Sequence, residues 1–572
     1  MDAAPAFQAD KDDHLSSRPS QSGSISQLNE DILWNIFLMN ADMGEDQHLF
    51  PQSFPDYSTR FSLRALTVTR RSSQVCHLWR EIIVGTSSIW ARLIDWPLLQ
   101  KLKTDDWKKE IFRRSGEYPL SIKSDEWIRD GPNLKAFTAL IDIYWDRIQS
   151  LEFGLYYIMT HNAVEDIYQV LSRPAHCLQS LRLYFDDDDG RFSCSKVPTL
   201  FSNHAPALRH LILHWANTAF TPQASMFSKL LVLDISYAVD LQVLQVVETL
   251  ANTPLLEYLA IRECQLIDHE NFAFQQEQIR IYLPELCYIR IVDPQFGLCT
   301  RIVDAIVPRE DCVFNWACAY NKPSGMSFDP LQGIAFHLLL EQNLDKLCKV
   351  FRQIAEHYTD SYVVEALDIV LDGCDFAFND TSDLAFPPTR LPGLDGLSIR
   401  ITEDLSHEAL CSLFDSVSRA YLGDVKRLSL DLLPECLDFR EFKFSAFFKR
   451  MPFLEHIAFR YWTPDVVSFL YYGAKDLDHD IFPSLKTLTY LYVGPIHPDQ
   501  TEALLSFLQW RQHMGLPIEA LDIRLAGPFA NDFRFLERIH GLKVTWRFMC
   551  DSDSCEQTYV CGSGDPGMLL MK

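Results

Sequence analysis

Residues 178–183 read L-Q-S-L-R-L, and residues 208–213 repeat the pattern as L-R-H-L-I-L. Both segments place an apolar residue at the first, fourth and sixth positions. Because alternate side chains of a β-strand point to the same face, the fourth and sixth positions enter one core. About 30 residues separate the two segments, which leaves room for a helix that returns the chain to the next strand.

The same spacing recurs along most of the chain from about residue 115. An earlier copy lies in residues 147–153, and later copies start at Leu230, Leu256, Leu286, Val364, Leu394, Val425, Leu454, Leu485 and Ile518. Most neighbouring copies are about 22–33 residues apart, in or just above the range of leucine-rich repeats. Residues 241–250 and 502–508 carry apolar residues at helical spacing. The pattern predicts an α/β fold over residues 115–548, an irregular leucine-rich-repeat solenoid with parallel strands on one side and helices on the other.

The repeat is interrupted between residues 292 and 360. This gap has room for two degenerate repeats, and residues 313–316, V-F-N-W, fit one of the missing strands. The asparagine that usually follows the third apolar position is missing from the repeats, so their spacing does not predict a curvature.

Residues 28–38 predict a short amphipathic helix near the N-terminus. Ile32, Leu33, Ile36 and Phe37 recur at the i, i+3, i+4 spacing of one apolar stripe. Asn29 can cap the helix, and the two acidic residues that follow it favour the positive end of the helix dipole. Further blocks follow at residues 65–83 and 86–93. Together they form three ordered blocks within residues 25–97.

These blocks resemble the F-box, and more closely the expanded fungal class in which a loop separates the first helix from a V-C-x-x-W-R helix. The matching residues are Leu28, Glu30, Ile32, Leu33, Ile36, Phe37, Val75, Cys76, Trp79, Arg80 and Trp90. Residues 115–122, S-G-E-Y-P-L-S-I, are similar to the strand that follows the fungal F-box. The family usually has proline where this chain has Asn29, which can cap the helix instead.

The resemblance implies a three-helix module over residues 25–97 that binds a Skp-type adaptor, and through it a cullin. A module this small cannot bury all its apolar side chains, and leftover apolar surface also implies a partner. The residues expected to contact the adaptor are Leu28, Ile32, Leu33, Ile36, Phe37, Val75, Cys76 and Trp79. The alternative for each is a place in the module's own core, above all for Trp79 and Trp90.

Basic residues concentrate around this module in an otherwise acidic chain. They are Arg60, Arg64, Arg70, Arg71, Arg80, Lys101, Lys103, Lys108, Lys109, Arg113 and Arg114. They could meet an acidic adaptor surface, the alternative being a solvated helix face.

The composition narrows the class of protein. A net charge of -25 repels phosphate backbones and anionic lipids, so neither nucleic acid nor a membrane is expected as a partner, although acidity can also serve solubility alone. The 15 cysteines form no regular framework, which indicates reduced thiols in the cytoplasm or nucleus. Residues 1–24 read as a disordered tail without a signal peptide, and residues 549–572 as a C-terminal tail. Nowhere do about 18 uninterrupted apolar residues occur.

Motifs for catalysis, cofactors or metals are not apparent in the sequence. His210 and His214 flank a predicted strand rather than sharing a helical face, and Cys550, Cys555 and Cys561 lack the paired spacing of a zinc site. The acidic run at residues 186–189 is typical of a solvated turn, the alternative being a site for a cation or a basic partner. We therefore expect no metal and no cofactor.

The sequence thus predicts a non-catalytic protein whose F-box-like module binds an adaptor of an SCF-type ubiquitin ligase, and whose solenoid binds an unidentified protein substrate. The alternative is a leucine-rich-repeat scaffold that acts outside a ubiquitin ligase. A third hypothesis is an enzyme in the interrupted region, where Asp304, Glu310, Asp311 and Asp329 could pair.

Overall fold

The chain forms two compact units, Met1–Lys123 and Ser124–Lys572. The boundary falls within a strand, a little beyond residue 115, where the sequence predicts that the repeats begin. A computed structural model describes residues 28–43, 64–101, 106–129, 131–156, 161–186, 199–214, 222, 224–267, 280–293, 295–319, 330–371, 375–382, 396–402, 405–432, 444–461, 482–493, 501–525, 531–548 and 556–571.

The first unit is mainly helical. Its helices are α1 (Glu30–Asn40), α2 (Ala65–Ser72), α3 (His77–Gly85), α4 (Ser87–Ala91), α5 (Trp96–Gln100) and α6 (Asp106–Ser115). Strand β1 (Ile94–Asp95) pairs in parallel with the start of β2 (Leu120–Ile128). The core of the unit is apolar and almost fully buried, and includes Leu33, Phe37, Leu66, Ile83, Ile89, Trp90 and Ile111.

The predicted helical block at residues 65–83 is two helices, so the three-helix prediction is wrong for this region. The described part of residues 25–97 holds four complete helices and the start of a fifth. Ser73 Oγ donates a hydrogen bond to the Arg70 carbonyl at 2.7 Å, and Arg80 Nε donates one to the Ser73 carbonyl at 3.2 Å. Side chains therefore satisfy carbonyls that a continuous helix would use. Cys76 is then extended, at φ -153°, and α3 begins after it.

The second unit is a mixed α/β structure with one large sheet. Its strands are β3 (Ile148–Tyr156), β4 (Ser180–Asp186), β5 (His210–His214), β6 (Val232–Ser236), β7 (Leu241–Gln242), β8 (Tyr258–Arg262), β9 (Leu266–Ile267), β10 (Ile281–Leu283), β11 (Tyr288–Val292), β12 (Ile306–Pro308), β13 (Val313–Ala319), β14 (Ala366–Leu371), β15 (Asp375–Asp380), β16 (Ser398–Thr402), β17 (Arg427–Leu432), β18 (His456–Tyr461), β19 (Thr487–Val493), β20 (Ala520–Leu525), β21 (Asn531–Asp532), β22 (Lys543–Phe548), β23 (Glu556–Val560) and β24 (Leu570–Met571).

Helices occupy many of the connections between these strands. They are α7 (Pro132–Tyr144), α8 (His161–Leu171), α9 (Val243–Ala251), α10 (Phe296–Ala305), α11 (Pro330–Ser361), α12 (His407–Val417), α13 (Phe444–Phe448) and α14 (Thr501–His513). The two predicted helical segments are confirmed as α9 and α14. In the parts of the chain that the structure describes, no helix is both long enough and apolar enough to cross a membrane.

The predicted strands pair in the register that their apolar spacing requires. Leu181 lies opposite Leu211, Leu211 opposite Leu233, and Leu233 opposite Leu259. The sixth positions of the same motifs pair in the same way, and both rows are buried. This alignment confirms the predicted parallel strands, because a slip of one residue would turn every leucine out of the core.

The order of strands at the interruption differs from the prediction. Strand β13 contains the predicted segment at residues 313–316, but its parallel neighbour is β16 rather than β14. Strand β15 lies antiparallel between β16 and β14, and β14 then pairs in parallel with β17. Phe376 and Phe378 of β15 are buried, so this strand has its own core face and closes the gap. The two copies around it are therefore reversed in space, and the array is not uniformly parallel.

The predicted C-terminal tail is also wrong in part. Strand β23 pairs antiparallel with β22, and β24 pairs with β21. Cys561 and Leu569 are buried. Strand β23 therefore extends the sheet beyond β22, the last parallel strand. The predicted tail at residues 1–24 lies outside the described residues.

Candidate protein-interaction surface

Helix α1 carries two apolar stripes. Leu33 and Phe37 are only 1% exposed and belong to the core of the first unit. Ile32, Ile36 and Met39 lie about 110° around the helix from them and are 48%, 40% and 71% exposed. Leu28, just before the helix, is 38% exposed. We call Leu28, Ile32, Ile36 and Met39 the α1 stripe.

The start of α1 is set by local chemistry. Asn29 Oδ1 accepts a hydrogen bond from the Asp31 backbone N–H at 3.2 Å, which confirms the predicted cap. Glu30 and Asp31 occupy the first turn, where carboxylates favour the helix dipole. Because α1 begins at Glu30, the α1 stripe extends along the whole helix.

The turn before α3 adds further exposed residues to the first unit. Val75 is 63% exposed, and Cys76 is also exposed. Cys76 Sγ accepts a hydrogen bond from the Trp79 backbone N–H at 3.5 Å, so its side chain caps α3. The Trp79 ring is half-buried and meets the Phe37 ring edge-on, with centroids 5.0 Å apart. Trp79 thus packs against α1 through its contact with Phe37.

The predicted adaptor contacts fall into three groups. Leu28, Ile32, Ile36, Val75 and Cys76 are exposed, so their side chains are open to a partner. Trp79 is shared between core and surface. Leu33 and Phe37 are buried inside the unit, where they hold α1 in place.

Met39 was missed by the sequence prediction, although a signal for it exists. It follows Ile32 by seven residues and Ile36 by three, which places it on the same side of an α-helix. The predicted helix ended at residue 38, whereas α1 runs to Asn40. The extra turn therefore lengthens the exposed stripe.

A buried ion pair holds the elements that follow α1. Arg64 Nη1 lies 2.6 Å from Asp95 Oδ1, and both residues are less than a tenth exposed. The same carboxylate oxygen accepts the Leu98 backbone N–H at 3.1 Å. Lys123 Nζ, also buried, donates to the Met43 carbonyl at 2.7 Å. These contacts connect segments distant in sequence and give the unit a defined shape.

Several of the basic residues near the module are used inside it. Arg114 lies over the Trp90 and Trp107 rings, and Arg70 also lies over Trp107. Arg113 and Arg114 both bind Glu110, and these hydrogen bonds lower the pKa of that carboxyl to about 2. Arg60 and Lys103 lie outside the described residues.

The candidate histidines of the second unit belong to the sheet. Both His210 and His214 lie on β5. The His214 ring lies 2.9 Å from Arg262 Nη2, and Arg262 also binds Asp234 at 2.7 Å. Burial lowers the pKa of His214 to about 4, so the ring is neutral at physiological pH. Within the described residues, no group of three or more His, Cys, Asp or Glu side chains is arranged to hold a metal ion.

Two of the four carboxylates proposed for an enzyme have basic partners. Asp304 lies 3.6 Å from Lys349 Nζ, and Asp311 binds Arg309. Asp329, Cys550, Cys555 and the acidic run beyond Asp186 lie outside the described residues.

No protein-family model matches the chain, and no curated protein is similar to it in sequence.

Proposed function

We propose that this protein is the substrate-recognition subunit of an SCF-type ubiquitin ligase. Its first unit is an F-box module that binds a Skp-type adaptor, and its second unit is a leucine-rich-repeat solenoid that binds a target protein. The α1 stripe is the observation that carries the proposal. The module supplies binding alone, and the chemistry of ubiquitin transfer belongs to the other subunits.

The α1 stripe has the properties of a helix that docks into an apolar groove. Its four large side chains project from one side of α1 and its entry, while the other stripe of the helix is already buried. Burying one such side chain contributes about 1.5–3 kcal/mol, and anchors at i, i+4 and i+7 are typical of helix-in-groove recognition. The motif resemblance to the F-box names the partner class.

The second unit supports the other half of the proposal. Its strands recur at the spacing of leucine-rich repeats and pair in register. On β4, β5, β20 and β22 the side chains between the buried apolar positions are partly exposed, so these strands have an accessible face. Such faces bind proteins by shape and by scattered side chains.

Co-purification of the full chain with a Skp-type adaptor tests the proposal. We expect a one-to-one complex with the wild-type chain. The Ile32→Asp, Ile36→Asp double variant should bind about a hundredfold more weakly, because two carboxylates would be buried against an apolar groove.

Ile143→Asp is the matched control. Ile143 is 72% exposed on α7, in the second unit, so the same change there should leave adaptor binding intact. Equal binding by the wild type and the double variant would overturn the assigned surface. A well-folded wild type without affinity for the adaptor would overturn the ligase role and favour the scaffold alternative.

A further inference from the structure

The C-terminal strands of the sheet present a cationic face. On β17, β18, β20 and β22 the core positions are buried and the residues between them point outward. The basic residues at these outward positions are Arg427, Arg460, Arg524, Lys543 and Arg547. We call this set the cationic face. The outward residues of β19, which lies between β18 and β20, carry no charge.

Asp431 and Asp522, two acidic residues of this region, are less exposed than the arginines that they bind. Arg460 Nη1 binds Asp431 Oδ2 at 2.8 Å, yet the Arg460 side chain is 48% exposed and that of Asp431 only 6%. Asp522 lies 3.2 Å from Arg547 and 3.8 Å from Arg524, and it is less exposed than either. A molecule approaching the sheet therefore meets guanidinium groups first.

Positive charge is in excess over the whole face, because its five basic residues meet three acidic ones, Asp431, Asp522 and Glu556. Arg524 and Arg547 lie directly opposite each other in the register of β20 and β22. Two guanidinium groups share one carboxylate, and like charges directly opposite destabilise a sheet. Glu556 of β23, which is exposed and lies opposite Arg547, is the other acidic residue at the described outward positions of β18, β19, β20, β22 and β23. An anionic group from a partner would relieve the repulsion.

The middle of the face is shallow. Between the two rows of basic residues lie the small side chains of Ser429, Ala458, Thr489 and Thr545. Asp522 lies in the same row, and its carboxylate is paired with Arg524 and Arg547. Small residues leave space for an extended chain to cross the strands, with basic groups on either side.

We propose that the cationic face binds an extended acidic segment of the target protein, a proposal that rests on the function proposed above. Strands β18 and β22 are three strand spacings apart, about 14 Å. Residues i and i+4 of an extended chain are about 13 Å apart. The geometry therefore fits a segment with anionic side chains four residues apart, one at Arg460 and one at Arg524 and Arg547.

Fluorescence anisotropy on the full chain tests this. The probe is a labelled synthetic peptide with glutamates at every fourth position in a Ser/Thr/Ala background. A second peptide of equal composition has its glutamates clustered at one end, and a third carries phosphoserine in place of glutamate. We expect the spaced glutamate peptide to bind more tightly than the clustered one. Tighter binding of the third peptide would assign the anion as a phosphate.

The Arg524→Gln, Arg547→Gln double variant should weaken binding of the spaced peptide by about tenfold or more. Arg534→Gln is the matched control, because Arg534 is exposed and pairs locally with Asp532. Thermal unfolding should show that the double variant is folded, since it removes a like-charge pair. Arg460→Gln should weaken the spaced peptide but not the clustered one.

Three results would overturn the proposal. They are an absence of saturable binding to the wild type at peptide concentrations up to about 1 mM, equal affinity of the double variant and the Arg534→Gln control, or a single-stranded oligonucleotide that binds as tightly through the same arginines. Adaptor binding, measured on the same preparations, should be unchanged by these substitutions. A failure of the ligase role is thereby separated from a failure of this surface.

Discussion

Asp293 is a carboxyl group buried where two neighbouring repeats meet. It follows β11, is 0% exposed, and accepts backbone N–H groups from Cys264 at 2.8 Å and Gln295 at 2.7 Å. Burial raises the pKa of Asp293 from 3.8 to about 7, although the two hydrogen bonds act in the opposite direction. The group is therefore poised to titrate near physiological pH.

The stability of the second unit should fall as the pH rises from 4 to 7, because of Asp293. In this range the Asp293 carboxyl is ionised in the unfolded chain but protonated in the folded chain. Its contribution to stability is therefore complete below the pKa of the unfolded chain and is lost as the pH rises through the pKa of the folded chain. We expect Asp293→Asn to remove a pH dependence on the order of 4 kcal/mol. Urea unfolding at several pH values measures it, with Asp304→Asn as the exposed control. Parallel pH profiles of wild type and Asp293→Asn would contradict this.

Gly154 allows a tryptophan to lie against the sheet. A Cβ atom at this position of β3 would be 2.6 Å from Cε3 of Trp127. Gly154→Ala should destabilise the second unit by about 1–3 kcal/mol, because the indole ring must move. Gly85→Ala at the end of α3 is the control, since nothing lies within 4 Å and alanine favours a helix. Denaturant unfolding compares the two, and an unchanged midpoint for Gly154→Ala would count against a close contact.

At the scale of elements, α1 shows how a sequence pattern can be correct and incomplete. Two i, i+4 pairs, Ile32 with Ile36 and Leu33 with Phe37, lie on two different sides of the helix. The spacing therefore predicts an apolar helix without stating which side is the core. Packing of Phe37 against Trp79 decides it, and leaves Ile32 and Ile36 to solvent.

The buried pair Arg64–Asp95 joins α2 to β1 and should be sensitive to loss of one partner. Arg64→Met is expected to destabilise the first unit by about 3–5 kcal/mol, because it leaves Asp95 buried without its cation. Arg173→Met, which breaks an exposed pair with Asp142, should cost about 0–1 kcal/mol. Hydrogen exchange in increasing urea measures both losses, at residues 64–101 for the first unit and at residues 131–156 for the second. Similar losses for both variants would show that burial adds nothing to this pair.

At the scale of the whole molecule, the large sheet is built from local repeats, but the sequences of the repeats do not predict the order of the strands. Each strand from β3 to β13 pairs with the copy before it, except for the short strands β7, β9, β10 and β12. The meander of β14, β15 and β16 then reverses the order. Strand β15, D-F-A-F-N-D, alternates as a strand should, but it lacks the leucine motif and was not predicted.

The net charge of the chain does not predict how its charges are arranged in space. The net charge of -25 predicts an acidic molecule and argues against nucleic acid as a partner. Basic side chains from four distant segments nevertheless meet on one face of β17, β18, β20 and β22. Composition cannot show such a local reversal, because it depends on the register of strands that are far apart in sequence.

The sequence by itself determined where the strands that carry the leucine motif lie, and where α1 begins. Leu181 and Leu183, or Asn29, act through backbone periods and hydrogen bonds that span a few residues, so local spacing is enough. The tertiary structure alone decided that Leu33 rather than Ile32 is buried, that β16 pairs with β13, and that Arg524 lies beside Arg547. Each of these depends on which distant segments pack together, and a choice between two equally apolar faces or two equally regular strands is made only by those contacts.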